Sequence, residues 1–251
     1  GMMSVTGTPD SGPLRVGYMP VDISTGITAS YAIASALFRR SHSGEGQHLD
    51  VAMLDSAMTM LNPVISNYLN GDVIPERLGN ASPTYQGSAD TWPTKDGHVQ
   101  MTVITNSMTQ KLCDALGRPE WMDDPRFATD QGRVDHQVEV YDSIGAVFAS
   151  EPTKHWMQVL GDAGIPIAPV HSVPQLMDFP QLDHRGVLMT MAAPAGMEGN
   201  ITVPGAGFHA SNGEPAAKTA APTLGQHTDE VLGELGYDAA AIAALREKGI
   251  V

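Results

Sequence analysis

Apolar and polar positions repeat with different periods in different parts of this chain. Between Asp22 and Arg40, DISTGITASYAIASALFRR spaces Ile27, Ile33, Leu37 and Phe38 as one long helix. Asp22 or Thr25 is placed to cap its start, and Arg39 and Arg40 suit the negative end of its dipole. The many Ala and Ser residues of that segment imply close contact with neighbouring backbone. QHLDVAM, residues 47–53, reads as a short strand, and LDSAMTMLNPVISNYL, residues 54–69, as a helix bent near Pro63. Turn chemistry then runs from 70 to 97 and ends in a tight KDG turn, after which VQMTVIT alternates as a strand over 99–105. Helical spacing returns at 107–116, 132–149 and 152–163, and the prolines of GIPIAPVHSVPQL force extended backbone. Short strands are expected within 186–210, followed by a polar loop through ASNGEPAAKTAAP and a helical tail. In that tail Thr228 is placed to cap one helix, Asp238 the next, and Gly249 to end it. The first 25 residues, rich in Gly, Pro, Ser and Thr, read as loop with at most a short strand near LRVGYM.

Composition narrows the function classes. With 251 residues and 42% hydrophobic content, the chain can build one large domain or two small ones around a real core. No uninterrupted apolar run approaches membrane-spanning length and no charged segment precedes an apolar one, so neither a membrane span nor a secretory signal is expected, and the cytoplasm is the expected location. Fourteen basic against 28 acidic side chains give a net charge of -14, which repels polyphosphate backbones and anionic membrane surfaces; nucleic acid is not an expected partner. Cys113 is the single cysteine, and it shares a helical face with Met108, Leu112 and Leu116, so a buried, inert thiol is expected. The nine histidines show neither His-x-His nor HExxH spacing, and no metal is expected. GAGFHA at 205–210 fits Gly-x-Gly-x-x-Ala, but Pro204 precedes it and SNGEP follows, so the strand-turn-helix that cradles a pyrophosphate is missing. There is no Gly-Lys-Ser/Thr loop and no Gly-x-Ser-x-Gly elbow.

Several phrases point in one direction together: GMMSVTGTPDSGP, the Asp22–Gly26 turn, GEGQHLDVAMLDSA, TKDGHVQ, LGRPEWMDDPRFATDQGRVDH, GIPIAPV, PQL and LGQHTDEVLGELGY. Their combination, spread from the first residue almost to the last, resembles the family III CoA-transferases, a group that includes formyl-CoA transferase and the alpha-methylacyl-CoA racemases. The resemblance implies an α/β fold. Residues 1–58 would belong to an incomplete large domain, 59–79 to a linker, 80–185 to a small α+β domain, and 186–251 to a return linker and the C-terminal helices of the large domain. Coenzyme A, as an acyl-CoA substrate, and a small carboxylic acid are the implied ligands. A homodimer with interlocked chains, or a separate N-terminal subunit, is the implied partner.

Family members are longer and begin with an α/β segment that this chain lacks, and their nucleophilic aspartate lies shortly before the phrase resembling GMMSVTG. The resemblance therefore puts the nucleophile's position before Gly1 and no catalytic residue within this chain. Asp10 sits in a Pro-Asp-Ser-Gly turn, and Asp22, Asp50 and Asp55 stand at helix or strand boundaries, where bracing and capping are their expected roles. The loop GNASPTYQGSAD, residues 79–90, is the remaining site candidate. In formyl-CoA transferase the matching region is a run of glycines closing over the active site, whereas here Ser82, Pro83, Thr84 and Tyr85 precede Gln86. Ser82, Thr84, Tyr85 and Gln86 are the candidate substrate-binding residues; the same residues also fit a surface turn whose tyrosine packs on the small domain. His136, His155 and His171 read as helix-surface, capping or loop residues. Transfer of CoA between an acyl-CoA and a carboxylic acid is the first functional expectation. Racemisation of a 2-methylacyl-CoA and a non-catalytic scaffold are the alternatives.

Overall fold

A proline opens the first helix of the computed structural model, which describes residues 1–251 apart from 195, 214, 216 and 218. Pro20 has no N–H to leave unpaired in a first turn, so it begins α1 (Pro20–Ser43); Asp22 lies in that turn, and Gly44 ends the helix at φ 75°. Met19 holds the capping position without a side-chain bond, and the Thr25 hydroxyl donates instead to the Val21 carbonyl at 2.7 Å, which corrects the expected capping by Asp22 or Thr25. The fixed φ of proline starts the helix one turn before the polar cap signal. α2 (Met53–Met60) and α3 (Asn62–Gly71) follow with Pro63 in the first turn of α3, at the expected bend. Residues 47–52 and 14–19, which read as short strands, are irregular, since among the described residues neither stretch has a strand beside it to take its backbone hydrogen bonds.

The chain divides into two compact units, Gly1–Val170 and His171–Val251. In the first, β1 (Ala89–Pro93), β2 (His98–Thr102) and β3 (Ile167–Pro169) make an antiparallel sheet in the order β1-β2-β3. The alternation read from the sequence is physical: Val99 and Met101 are buried while His98, Gln100 and Thr102 are exposed. Residues 89–93, which turn chemistry does not mark as a strand, form β1 because their register against β2 pairs Trp92 with Val99. Around the sheet stand α4 (Asn106–Ala115), α5 (Pro125–Ala128), α6 (Asp130–Asp135), α7 (Gln137–Phe148) and α8 (Thr153–Asp162). The single helix expected over 132–149 breaks at His136 (φ -117°, ψ 37°) into α6 and α7. This break lets Gly87 lie against the start of α7, where a Cβ on Gly87 would stand 2.1 Å from the Gln137 carbonyl oxygen.

Aromatic groups join sheet to helices. The Trp92 indole N–H donates to the Tyr141 carbonyl at 3.0 Å and the Tyr141 hydroxyl to the Thr91 carbonyl at 3.1 Å; the Trp156 N–H donates to the Phe148 carbonyl at 2.9 Å. These bonds satisfy ring polar groups that burial would otherwise strand. All the buried hydrophobic residues of this unit lie between Ala89 and Ile165. Residues 1–80 contribute no buried apolar side chain, and α1 carries Ile27, Tyr31 and Phe38 at 65%, 74% and 70% exposure. By length and composition alone α1 is long and apolar enough to cross a membrane. Counting unbroken apolar runs does not register such a helix, because its Ala, Gly, Ser and Thr residues are only weakly polar.

In the second unit, α9 (Val173–Met177) starts with a capping box between Ser172 and Gln175, and α10 (Pro180–Arg185) follows. β4 (Leu188–Ala192) and β5 (Asn200–Pro204) pair antiparallel inside the stretch expected to hold short strands. GAGFHA lies beyond β5 in irregular backbone, as its flanking residues imply. Part of the polar loop expected over 210–222 falls on 214, 216 and 218, outside the described residues. α11 (Thr228–Glu234) begins with Thr228 inside the helix and His227 at the capping position without a side-chain bond, which corrects the expected Thr228 cap. α12 (Ala239–Glu247) is capped as expected, the Asp238 carboxylate accepting from the Ala241 N–H at 2.8 Å, and Gly249 follows at φ 64°.

Candidate functional site

The loop before β1 sends its side chains in three directions. Ser82 is held to the sheet by its N–H, which donates to the Ala89 carbonyl at 3.0 Å, while its hydroxyl oxygen accepts from the Thr84 N–H at 3.2 Å and the Thr84 hydroxyl at 3.0 Å. Ser82 and Thr84 thus brace their own turn. Tyr85 closes that turn through its N–H to the Ser82 carbonyl at 2.9 Å and takes φ 57°, a left-handed conformation that costs a residue with a Cβ about 1 kcal/mol or more. Gln86 points into the protein. Its amide N–H donates to the Ile104 carbonyl at 3.1 Å and its amide oxygen accepts from Arg133 Nε at 3.0 Å.

Arg133 explains the strain at Tyr85. Its side chain, on α6, is fully buried and spends its donors on four acceptors: Gln86, the Phe127 carbonyl at 2.6 Å, Asn106 at 2.9 Å and the Asp130 carboxylate. Burial lowers its basicity, and the adjacent Asp130 charge opposes that loss. A guanidinium without water requires these partners, so the segment carrying Gln86 is fixed against α4, α5 and α6. Gly87, with no room for a Cβ, secures the same stretch from the other side. Tyr85 precedes this anchor and follows the braced turn, and its backbone takes the conformation the two leave to it.

Pro83 and Tyr85 face a cavity of about 290 Å³ whose other walls come from Val5, α3 and the segment after it. Val64, Ile74 and Leu78 make it apolar; Asn67 and Glu76 are its polar side chains besides Tyr85. No Arg, Lys or His lines it among the described residues. Arg77, next to Glu76 in the chain, turns to the backbone, donating to the Thr8 carbonyl at 3.2 Å and the Pro9 carbonyl at 3.4 Å. The cavity is apolar on its inner walls and open to solvent at Ile74 and Glu76. It offers no cationic partner to the phosphates of a coenzyme A.

None of the other candidates is among the residues lining this cavity. Asp10, Asp50 and Asp55 are exposed, and Asp22 is exposed on the rim of a separate hollow of about 190 Å³ with Arg15 and Tyr18. His136 Nδ1 lies 3.3 Å from the Glu139 carboxylate, His155 meets the Trp156 ring edge-on, and His171 packs near Phe179 in the second unit. Cys113 is fully buried, and burial, helped by the Asp114 charge, pushes its thiol up to about 11, so it is an un-ionised core group as expected. Among the described residues no three His, Cys, Asp or Glu side chains gather as metal ligands. The sequence reading misses Arg133 and the wall residues Val64 and Ile74: a guanidinium in an amphipathic helix carries no local mark of burial, whereas Val73, Ile74 and Pro75 do stand out as an apolar trio inside a turn-rich stretch.

The chain matches CoA-transferase family III over residues 1–228. It belongs to that family. An acyl-CoA transferase of Fusarium pseudograminearum is 32% identical over all of this chain and 55% of its own length, and a succinyl-CoA:glutarate CoA-transferase of Mus musculus is 33% identical over all of this chain and 57% of its own. The crystal structure of a CAIB/BAIF family protein from Brucella suis superposes with a TM-score of 0.76 at 28% identity, covering 93% of this chain and 60% of that one. The family III fold is thus present in part, as a mixture of helices and strands. The chain spans a little over half the length of the relatives it matches.

Proposed function

We propose that this chain forms the acyl-binding part of a CoA-transferase that moves CoA between an acyl-CoA thioester and a carboxylic acid. The observation that carries the reading is the family match over residues 1–228, joined to Tyr85 held in a left-handed conformation at the mouth of an apolar cavity. In such a transfer a carboxylate attacks the thioester carbon and expels CoA as its thiolate, leaving a mixed anhydride. The thiolate then attacks the enzyme's acyl carbon, releasing the first acid and forming an enzyme thioester. The acceptor acid reverses the two steps. Hydrolysis competes with each intermediate, so the chemistry needs water kept from the acyl group.

The attacking carboxylate, on this reading, comes from outside these residues. Glu76 is the one acidic side chain lining the cavity among the described residues, and it is exposed. Asp90, whose carboxyl is raised by burial, belongs to β1 and does not line the cavity. Racemisation would need an acid and a base flanking the carbon next to the thioester, and His136, His155 and His171 are engaged elsewhere. The relative from Mus musculus is named for succinate and glutarate, so small acids of that size are the starting substrates for a test.

The experiment is acyl exchange between a labelled acyl-CoA and an acceptor acid, with the purified chain alone and with a polypeptide spanning the remaining length of a relative. Inactivity alone and exchange on mixing support the reading. Persistent inactivity in the mixture favours a non-catalytic scaffold.

A further inference from the structure

The turn that carries Tyr85 is bonded at both ends to the packed body of the first unit. Before the tyrosine, the Ser82 N–H donates to the Ala89 carbonyl at 3.0 Å; after it, the Gly87 N–H donates to the Arg133 carbonyl at 3.4 Å and the Ala89 N–H to the Gln86 carbonyl at 3.1 Å. Ser88 is fully buried, its hydroxyl donating to the Val103 carbonyl at 2.7 Å, and the Val103 N–H donates back to the Ser88 carbonyl at 3.2 Å. Arg133 meets the segment twice, through its backbone carbonyl at Gly87 and through Nε at the Gln86 amide oxygen. Pro83 restricts the turn further by fixing its own φ. All of these partners lie within 82–133.

A left-handed tyrosine is costly, and a turn free at either end would relax it. Here Ser82 holds one side and the Gln86 side chain the other, and releasing Gln86 would leave a buried donor of Arg133 unpaired. We infer that Arg133 is a positioning residue: through Gln86 it keeps Tyr85 in its left-handed conformation, which makes Tyr85 a fixed part of the cavity wall and not a cover that opens and closes. The inference rests on the transferase reading only for what the cavity holds. A wall that does not move sets the width open to an acyl group before the group arrives.

The test uses the full chain without ligand. Hydrogen exchange of the parent reads the turn: the Tyr85 and Gly87 amides are expected to exchange at least about tenfold more slowly than in the unfolded chain. Less protection than that marks a turn that opens freely and overturns the inference. Urea unfolding of Tyr85→Gly and Tyr85→Ala, each in the parent and in Gln86→Ala, reads the coupling. Neither substitution keeps the ring, and only alanine bears the cost of a Cβ in a left-handed residue. The expected result is a folding constant about fivefold or more larger for glycine than for alanine in the parent, and a ratio at least about threefold smaller in Gln86→Ala, where the turn relaxes. A parent ratio near one, or a smaller fall, overturns the role of Arg133. If Gln86→Ala does not fold, Arg133→Lys, which loses the Nε–H and keeps a cation, is the second background with the same expectation. Failure of acyl exchange in the mixed polypeptides would remove the transferase reading and leave these results standing.

Discussion

Single side chains here act through what burial demands of them. Arg133→Met removes the centre of four hydrogen bonds and strands the Gln86, Asn106 and Phe127 acceptors while the exposed Asp130 carboxylate turns to water, and its expected cost is about 1–3 kcal/mol in urea unfolding. Gln86→Leu strands one donor of Arg133 and one carbonyl, and should cost about 1–3 kcal/mol by the same measurement. Asp124 gives a pH signature: hydrogen bonds from Arg126 hold its carboxyl below the ordinary 3.8. A carboxyl depressed in the folded state stabilises above its unfolded value and loses that contribution as pH falls through the folded one. Thermal stability should therefore decline as pH drops below 3.8, less steeply in Asp124→Asn than in the parent. Of these roles, only the neutral thiol of Cys113 is legible in the sequence, from its apolar neighbours at helical spacing. Gln86 reads as a ligand contact because its amide is chemically suited to one; its commitment to Arg133, 47 positions away, is a tertiary fact no local pattern carries.

The sheet and its helices, and not the long first helix, are the stable body. Every buried apolar residue of the first unit lies within 89–165 among the described residues, so amides of β1, β2, α4, α7 and α8 should exchange slowest with deuterium and those of α1 fastest among the helices. Gly87→Ala forces a Cβ onto the Gln137 carbonyl at the start of α7 and should cost at least about 1–3 kcal/mol in thermal unfolding, with lost protection in α7 as its local mark. The alternation of β2 was readable because one of its faces meets the core. β1 was not, since Asp90 and Thr91 resemble turn residues and only pairing with β2 makes them a strand. The predicted helix over 132–149 ends at His136 because apolar periodicity continues across a backbone break that leaves no mark in the sequence. For 47–53 the pattern was strand-like, but a strand exists only beside another.

Taken as a body, the chain has a family fold in part and an uncovered first third. The family match over residues 1–228 was legible through phrases scattered along the whole sequence, while the direction each loop side chain takes was not. The apolar residues of α1 exposed in the structure, Ile27, Tyr31 and Phe38 among them, are what close contact with further backbone would cover, as the small residues between them imply. On the proposed reading the cavity binds the acyl group and the attacking carboxylate belongs to other residues. Intact-mass analysis of the purified chain, incubated with an acyl-CoA and quenched before hydrolysis, examines this most directly. The expected result is an unmodified mass. A covalent acyl or CoA adduct on any Asp or Glu of these 251 residues would contradict the account.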